Sequence, residues 1–290
     1  MIRWMHYRLL YAAISGIVIA AGIFSLFKWG LNIGIDFKGG AILEYRFAKQ
    51  VSEDQISSIV KNTGVGVVSI QKTGDGTYSI RLAPIDTNQK TVITALLKKN
   101  FDAEELRFEN VGPTIGPELV KKTVYALLIS ASAILLWVAY QFKSIKFGTS
   151  AVLAMFHDSM VLIGMYSLLG HFFGAEVDFL FVTALLTILS FSVHDTIVVY
   201  DRVRETRKKI GGSMTEMADK AITETMVRSL NNSFTIIFML VALILLGGTT
   251  VKWFAATLLI GTISGTYSSP FVAVPILVTW DEIEKKLKRR

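Results

Sequence analysis

Six long stretches of this chain are almost free of Asp, Glu, Lys and Arg, and their lengths set its architecture. They cover residues 9–27, 123–142, 147–175, 179–200, 229–251 and 253–280, and none is shorter than 19 residues. At helical rise each can cross about 30 Å of hydrocarbon, where a backbone must close its hydrogen bonds inside a helix or a barrel. The pattern predicts a polytopic α-helical membrane protein with six transmembrane helices. The first stretch follows Arg3 and Arg8 as a secretory signal would. Its apolar run exceeds the roughly 7–15 residues of a signal core, and no small-x-small cleavage pattern precedes Lys28, so it is read as a retained helix.

Residues 28–122, between the first two apolar stretches, follow a different period. Residues 41–47, 65–72, 78–83 and 105–111 have strand character, and residues 52–62 and 91–100 have helical character. Ser52 with Gln55 forms a capping box that opens the first helix, and Val92, Ala95, Leu96 and Lys99 lie at helical spacing in the second. Thr73-Gly74-Asp75-Gly76-Thr77 supplies a hairpin, its glycines providing positive φ. The order β-α-β-β-α-β predicts a small α+β ferredoxin-like domain. The domain organisation expected is therefore 1–30 as tail and first helix, 31–121 as the α+β domain, and 122–290 as a five-helix membrane domain. Within the last, residues 201–228 form a charged cytoplasmic segment. It breaks at Gly211-Gly212, then continues from Ser213 and Glu216 as an amphipathic helix with Met214, Met217, Ala218, Ala221 and Ile222 on one face, lying on the membrane surface.

The positions of basic residues orient the chain. Arg3 and Arg8, Lys143 and Lys146, seven Lys and Arg in residues 201–228, and five after Trp280 mark one side; residues 171–178 have none and residues 247–252 have one. Both termini are expected in the cytoplasm and the α+β domain outside it. The net charge of +7 is then mostly topology beside anionic lipid, with no nucleic-acid partner implied. With 52% hydrophobic residues and a mean hydropathy of +0.49, the composition agrees with a membrane protein. No cysteine is present, which excludes disulfides, thiol catalysis and Cys-ligated zinc.

Two carboxylates interrupt the apolar stretches, Asp158 and Asp195. An Asp at the centre of a membrane helix costs about 2.5–3.5 kcal/mol on insertion, less toward the ends, and such residues are usually retained for proton or ion movement. Asp195 stands about five residues from the end of its stretch, some 7 Å below the interface. From the outer ends of their antiparallel helices Asp158 is about 12 residues deep and Asp195 about 16, near enough in depth to share one polar pocket. Beside them sit His157 and His194, which can relay protons or simply hydrogen-bond a neighbouring helix. Thr183, Thr187, Ser190 and His194 form a polar seam on one face, with Ser192 and Asp195 on the next. Arg228, at the mouth of the fifth apolar stretch, is either an inside-positive anchor or a switch, since an approaching guanidinium stabilises a carboxylate's charge. Two glycine patches carry less chemistry. Gly34, Gly39 and Gly40, with Asp36, lack the Gly-Lys-Ser/Thr ending of a phosphate loop and precede a strand, so a nucleotide site is not indicated; Gly261 and Gly265, beside Ser264 and Ser268, suggest close helix packing.

The motif Gly34-Ile35-Asp36-Phe37-Lys38-Gly39-Gly40 after the first helix, then Val111-Gly112-Pro113-Thr114-Ile115-Gly116-Pro117-Glu118-Leu119, resembles the SecF branch of the SecD/SecF protein-export family. His157-Asp158, Ser192-Val193-His194-Asp195-Thr196-Ile197-Val198-Val199-Tyr200-Asp201-Arg202 and Ala221-Ile222-Thr223-Glu224-Thr225 before Arg228 are similar to its later motifs, and the likeness covers nearly the whole chain. Ser229-Leu230-Asn231-Asn232-Ser233 is less Thr-rich than the family's pattern. The resemblance implies one half of a transporter related to the resistance-nodulation-division pumps, in a prokaryotic cytoplasmic membrane. Its partners would be SecD, the SecYEG channel, the SecA motor and unfolded preprotein, and its task the late, ion-gradient-driven stage of export. Asp195 then matches the membrane Asp implicated in proton flow and Arg228 its regulating Arg, with Asp158 and His194 as further ion-coupling candidates. No enzymatic activity and no cofactor are expected beyond a transmembrane H⁺ or Na⁺ gradient. Two rival readings are a half-transporter exporting a small molecule or lipid, and a passive translocon scaffold.

Overall fold

The computed structural model describes residues 2–112, 115–209 and 211–288. Pro113 and Thr114 of the second quoted motif, and Arg289 and Arg290 of the basic tail, lie outside them. In chain order the elements are a 3₁₀ turn (Trp4–Tyr7), α1 (Arg8–Trp29), α2 (Ile35–Lys38), β1 (Gly40–Phe47), α3 (Glu53–Lys61), β2 (Val67–Gly74), β3 (Thr77–Leu82), α4 (Thr87–Phe101) and β4 (Ala103–Val111). There follow α5 (Ile115–Phe142), α6 (Ile145–Phe173), α7 (Phe179–Lys209), α8 (Met214–Leu246), α9 (Thr249–Ser268), a π turn (Ser269–Ala273) and α10 (Val274–Lys288). Two compact units result: Ile33–Val124 is one, and Met1–Asn32 with Tyr125–Arg290 is the other.

In the smaller unit the period-2 pattern of β1 buries Ala41, Leu43, Tyr45 and Phe47, and β3 adds Tyr78, Ile80 and Leu82 to the same core. The sheet is antiparallel in the order β2-β3-β1-β4, so β1 lies between β3 and β4. Ser52 and Gln55 form the expected capping box on α3, and Asp86 with Gln89 forms a second on α4. That second cap starts α4 four residues earlier than its apolar spacing suggests. The buried face is also different, with Ile93 and Leu97 facing the core and Val92 exposed. In the hairpin only Gly76 takes positive φ, and the β2–β3 register shifts between Lys72 and Gly74. Burial pushes the Tyr45 phenol up to about 12, against the opposing hydrogen bond with Thr94 Oγ1 at 2.7 Å. The glycine motif has a backbone reason: Gly39 ends α2 at φ 75° and Gly40 opens β1 at φ 136°. A Cβ on Gly40 would stand 2.8 Å from the Leu82 carbonyl oxygen.

In the membrane unit, five helices are long and apolar enough to cross a bilayer: Trp4–Trp29, Gly116–Phe142, Ile145–Phe173, Phe179–Lys209 and Met214–Leu246. The sixth apolar stretch is not one uniform helix. It is α9, the π turn and α10, with Pro270 inside the π turn. A proline cannot donate to the preceding turn and its ring crowds the carbonyl four residues back, which a wider turn relieves. α7 and α8 differ from expectation in a way that matters for the site. The amphipathic segment is no separate surface helix; it is the first turns of α8, and Met214, Met217, Ala218, Ala221 and Ile222 pack into the main core with Tyr200, Val203, Leu277 and Met5. Its start is fixed by the Ser213–Glu216 capping box. The 3₁₀ turn docks on it, with Met5 N–H donating to Asp219 Oδ1 at 2.8 Å and Trp4 Nε1 to Thr223 Oγ1 at 2.9 Å. α1 joins α6 through Ser25 Oγ donating to Ser167 Oγ at 2.7 Å.

Gly40→Ala therefore forces a side chain into a left-handed backbone position against Leu82. We expect it to lower the stability of the smaller unit by about 1–3 kcal/mol, read as faster amide exchange in β1 and β3 of the full chain. Wild-type protection in those strands would show that the position has no need of glycine.

Candidate functional site

Asp158 is fully buried on α6, and three serine hydroxyls converge on it. Ser192 Oγ of α7 donates to Oδ2 at 2.5 Å, Ser268 Oγ of α9 to Oδ2 at 2.6 Å, and Ser264 Oγ of α9 to Oδ1 at 2.6 Å. His157 Nδ1 stands 3.1 Å from Oδ1. An ionised carboxylate offers about four lone-pair directions, so this set saturates it. The approach of α9 to α7 that permits it comes from the glycines. A Cβ on Gly261 would overlap Ile188, and one on Gly265 would press on Ser192 at 3.3 Å. Gly261, Ser264, Gly265 and Ser268 recur at 3-1-3 spacing, a small and polar stripe on one helix face. Just beyond it the π turn is tied down by Ser269 Oγ to Thr196 Oγ1 at 3.0 Å, and by Tyr200 Oη to Ala273 O at 3.2 Å.

Asp195, one turn along α7 from Ser192, is also buried but faces α8. Ser229 Oγ donates to its Oδ2 at 3.0 Å, and His194 Nδ1 lies 3.7 Å from Oδ1, beyond hydrogen-bond range. Arg228 immediately precedes Ser229 on α8. It lines a polar cleft of about 240 Å³ between α7 and α8, together with Asp201, Arg202, Glu205, Glu224 and Thr225. Arg202 pairs with Glu224 and, at 2.5 Å, with Glu205. The continuity of α8 from its capped start to the membrane is what holds Arg228 and Ser229 at the level of Asp195.

The two carboxylates are not joined. Among the described residues no hydrogen-bond partner is common to Asp158 and Asp195: the donors to Asp158 lie on α6, α7 and α9, and the one hydroxyl on Asp195 comes from α8. His157 belongs to the Asp158 pocket. His194 is largely outside both, with its side chain 70% exposed. Thr183, Thr187 and Ser190 of the seam are likewise exposed; Thr183 and Thr187 hydroxyls return to the carbonyls of Phe179 and Thr183 in their own helix. On α8 Arg228, Asn231, Asn232 and Thr235 are exposed as well. Gly34, Asp36, Gly39 and Gly40 lie in the smaller unit around α2, in the backbone role already described. Sequence reasoning did not single out Ser229 as a partner of Asp195, or Ser264 and Ser268 as partners of Asp158. The stripe on α9 was the available signal for the latter pair. Among the described residues no group of three or more His, Asp or Glu side chains is placed to hold a metal ion.

Fold and site together define a multi-pass helical membrane protein with Asp158 and Asp195 buried within its apolar helical stretches. Residues 91–283 match the family model described as "Protein export membrane protein SecD/SecF, C-terminal", and residues 24–51 match the SecD/SecF GG motif. The chain belongs to the SecD/SecF protein-export membrane protein family. The protein translocase subunit SecF of Thermobaculum terrenum is 39% identical, over 97% of this chain and 94% of the relative. SecF of Vibrio alginolyticus is 38% identical, over 88% and 82%. A crystal structure of SecDF from Thermus thermophilus, a translocon-associated membrane protein, superposes with a TM-score of 0.85 at 31% identity over 97% of this chain. This chain spans 39% of the length of that one.

Removing one donor tests the Asp158 pocket. Ser268→Ala leaves Oδ2 with a single hydroxyl, and we expect a loss of about 1–3 kcal/mol, read as a lower Tm of the lipid-reconstituted chain. Ser264→Ala with Ser268→Ala should depart from the sum of the single effects, since both act on one carboxylate. Strict additivity with small losses would contradict a shared pocket.

Proposed function

We propose that this chain is an ion-gradient-coupled accessory subunit of the preprotein translocase, acting in the late stage of export across the cytoplasmic membrane. Asp195 carries the reading. It is a buried carboxylate held by one hydroxyl, that of Ser229, whose chain neighbour Arg228 lines a polar cleft, in a chain of the SecD/SecF family. A group with so few fixed partners can exchange a proton or ion at modest cost, and the movement of Arg228 toward or away from it would bias its charge. One elementary charge moved across 100 mV supplies roughly 2.3 kcal/mol, the scale on which such a bias must work. The cleft lined by Arg228 and Glu224 is the cytoplasmic access route in this reading.

The partner with which the membrane unit completes its site is SecD. Supporting this are the match to part of a SecDF chain and the exposed side-chain amides of Asn231 and Asn232 on α8, groups that lipid does not satisfy. In this reading the SecYEG channel, the SecA motor and unfolded preprotein are the further partners, and the relatives' name as translocase subunits supports a place in that assembly. We take α9, the π turn and α10 together as the sixth transmembrane segment, both termini as cytoplasmic, and the smaller unit as a ferredoxin-like extracytoplasmic domain. The reading needs no cofactor beyond an H⁺ or Na⁺ gradient and no enzymatic step.

The decisive comparison uses sealed vesicles with the assembled translocase, with and without an imposed gradient. Asp195→Asn should insert and assemble normally yet lose the gradient's stimulation of export, leaving ATP-driven transport. Arg228→Ala should weaken the stimulation, and Arg228→Lys should weaken it less. Full stimulation in the Asn variant would favour a passive scaffold. Topology has its own check, because the chain has no cysteine. Asp75→Cys and Lys286→Cys should react with an impermeant maleimide from opposite sides of the membrane, and labelling from one side would refute the six-span arrangement.

A further inference from the structure

The pocket around Asp158 contains a second ionisable group, the His157 imidazole, that the ion-coupling reading above does not use. Oδ1 and Oδ2 stand within hydrogen-bond distance of Ser264, of Ser192 and Ser268, and of His157 Nδ1, a set that fills the acceptor sites of an ionised carboxylate. With Nδ1 directed at the carboxylate, Nδ1 carries the ring hydrogen. The other ring nitrogen, Nε2, is buried and has no hydrogen-bond partner in the protein, although the side chain is only 9% exposed.

Charge makes the consequence definite. Among the described residues no Lys or Arg pairs with Asp158, and its ion-pair partner is His157. Other titratable groups facing the imidazole are phenols. Tyr267 of α9 lies with its ring centroid 6.3 Å away, and its hydroxyl donates to the Tyr11 carbonyl of α1 at 2.9 Å; α7 presents the Ser192 hydroxyl. With a neutral imidazole, the pocket holds one uncompensated negative charge in a low-dielectric interior. With a proton on Nε2 it holds a neutral carboxylate–imidazolium pair. Buried charges are tolerated when paired, so of these two arrangements of an ionised Asp158 the second leaves no uncompensated charge.

We infer that His157 is the proton-binding group of this pocket, taking up and releasing a proton at Nε2, and that Asp158 is its fixed counter-ion, held ionised by Ser192, Ser264 and Ser268. The proton enters and leaves at Nε2 while the Nδ1–H···Oδ1 contact persists, so no heavy-atom bond changes. This inference rests on the ion-coupled reading, to which it adds a second proton-binding position that shares no hydrogen-bond partner with Asp195 among the described residues.

The test reads the imidazole itself. The full chain, with its four histidines labelled with ¹⁵N, is reconstituted in lipid and titrated, and the His157 signals are assigned by their loss in His157→Gln. On acidification the unprotonated ring nitrogen should move strongly upfield as imidazolium forms. In Asp158→Asn, which removes the anion but keeps its shape, the midpoint should fall by about one pH unit or more. A His157 that keeps one protonation state from about pH 5 to about pH 9, the range bracketing an ordinary imidazole, overturns the inference. So does a midpoint that Asp158→Asn leaves unmoved. In vesicles His157→Gln should lose gradient-stimulated export and keep ATP-driven export; full stimulation would overturn the coupling role. If His157 titrates as described while Asp195→Asn exports normally, the ion-coupled reading fails and the proton-binding assignment of His157 stands.

Discussion

The structure depends on one constraint, that a carboxylate inside a membrane unit must find its hydrogen bonds in the protein. Asp158 finds them on two other helices. Insertion of an Asp at mid-membrane costs roughly 2.5–3.5 kcal/mol, whereas hydrogen bonds to a charged group contribute about 1.5–3 kcal/mol each. Three hydroxyls therefore more than offset the penalty, but only while α6, α7 and α9 keep their spacing. Gly261 and Gly265 set that spacing, and the π turn with Pro270 ends α9 where Ser268 must point inward. Polar satisfaction and helix packing are here the same requirement.

Against that rigid pocket, the environment of Asp195 is sparse. A single hydroxyl from Ser229 reaches it, and the preceding residue, Arg228, is exposed. Both come from α8, whose N-terminal end is secured by the 3₁₀ turn through Met5 and Trp4. A shift of α8 along α7 would thus change the surroundings of Asp195, while the donors to Asp158 all lie on α6, α7 and α9. The division gives one carboxylate a structural task and leaves the other free to change its charge.

Much of this was legible from sequence because the signals are local. Apolar runs, period-2 strands and the Ser52–Gln55 and Ser213–Glu216 boxes each depend on a few neighbouring residues. What escaped depends on tertiary geometry. α4 buries Ile93 and Leu97 rather than the Val92 face because the sheet, not the helix's own pattern, selects the stripe. The amphipathic segment continues into α8 because its apolar face meets Tyr200 and Leu277 from distant parts of the chain. Depth along a helix suggested that Asp158 and Asp195 share a pocket; their hydrogen bonds come from different helices, α9 for the one and α8 for the other, and a depth count carries no such information. Ser229, Ser264 and Ser268 were visible as residues but not as partners, since serine in a membrane helix more often bonds its own backbone.

The central claim is that the two carboxylates have different duties, Asp158 remaining ionised and Asp195 exchanging its proton. Infrared difference spectroscopy of the lipid-reconstituted chain with ¹³C-labelled aspartate, recorded as pH is stepped, measures this directly. The account predicts a protonated-carboxyl band that grows on acidification, disappears in Asp195→Asn and persists in Asp158→Asn. A band that survives Asp195→Asn and is lost in Asp158→Asn would contradict it.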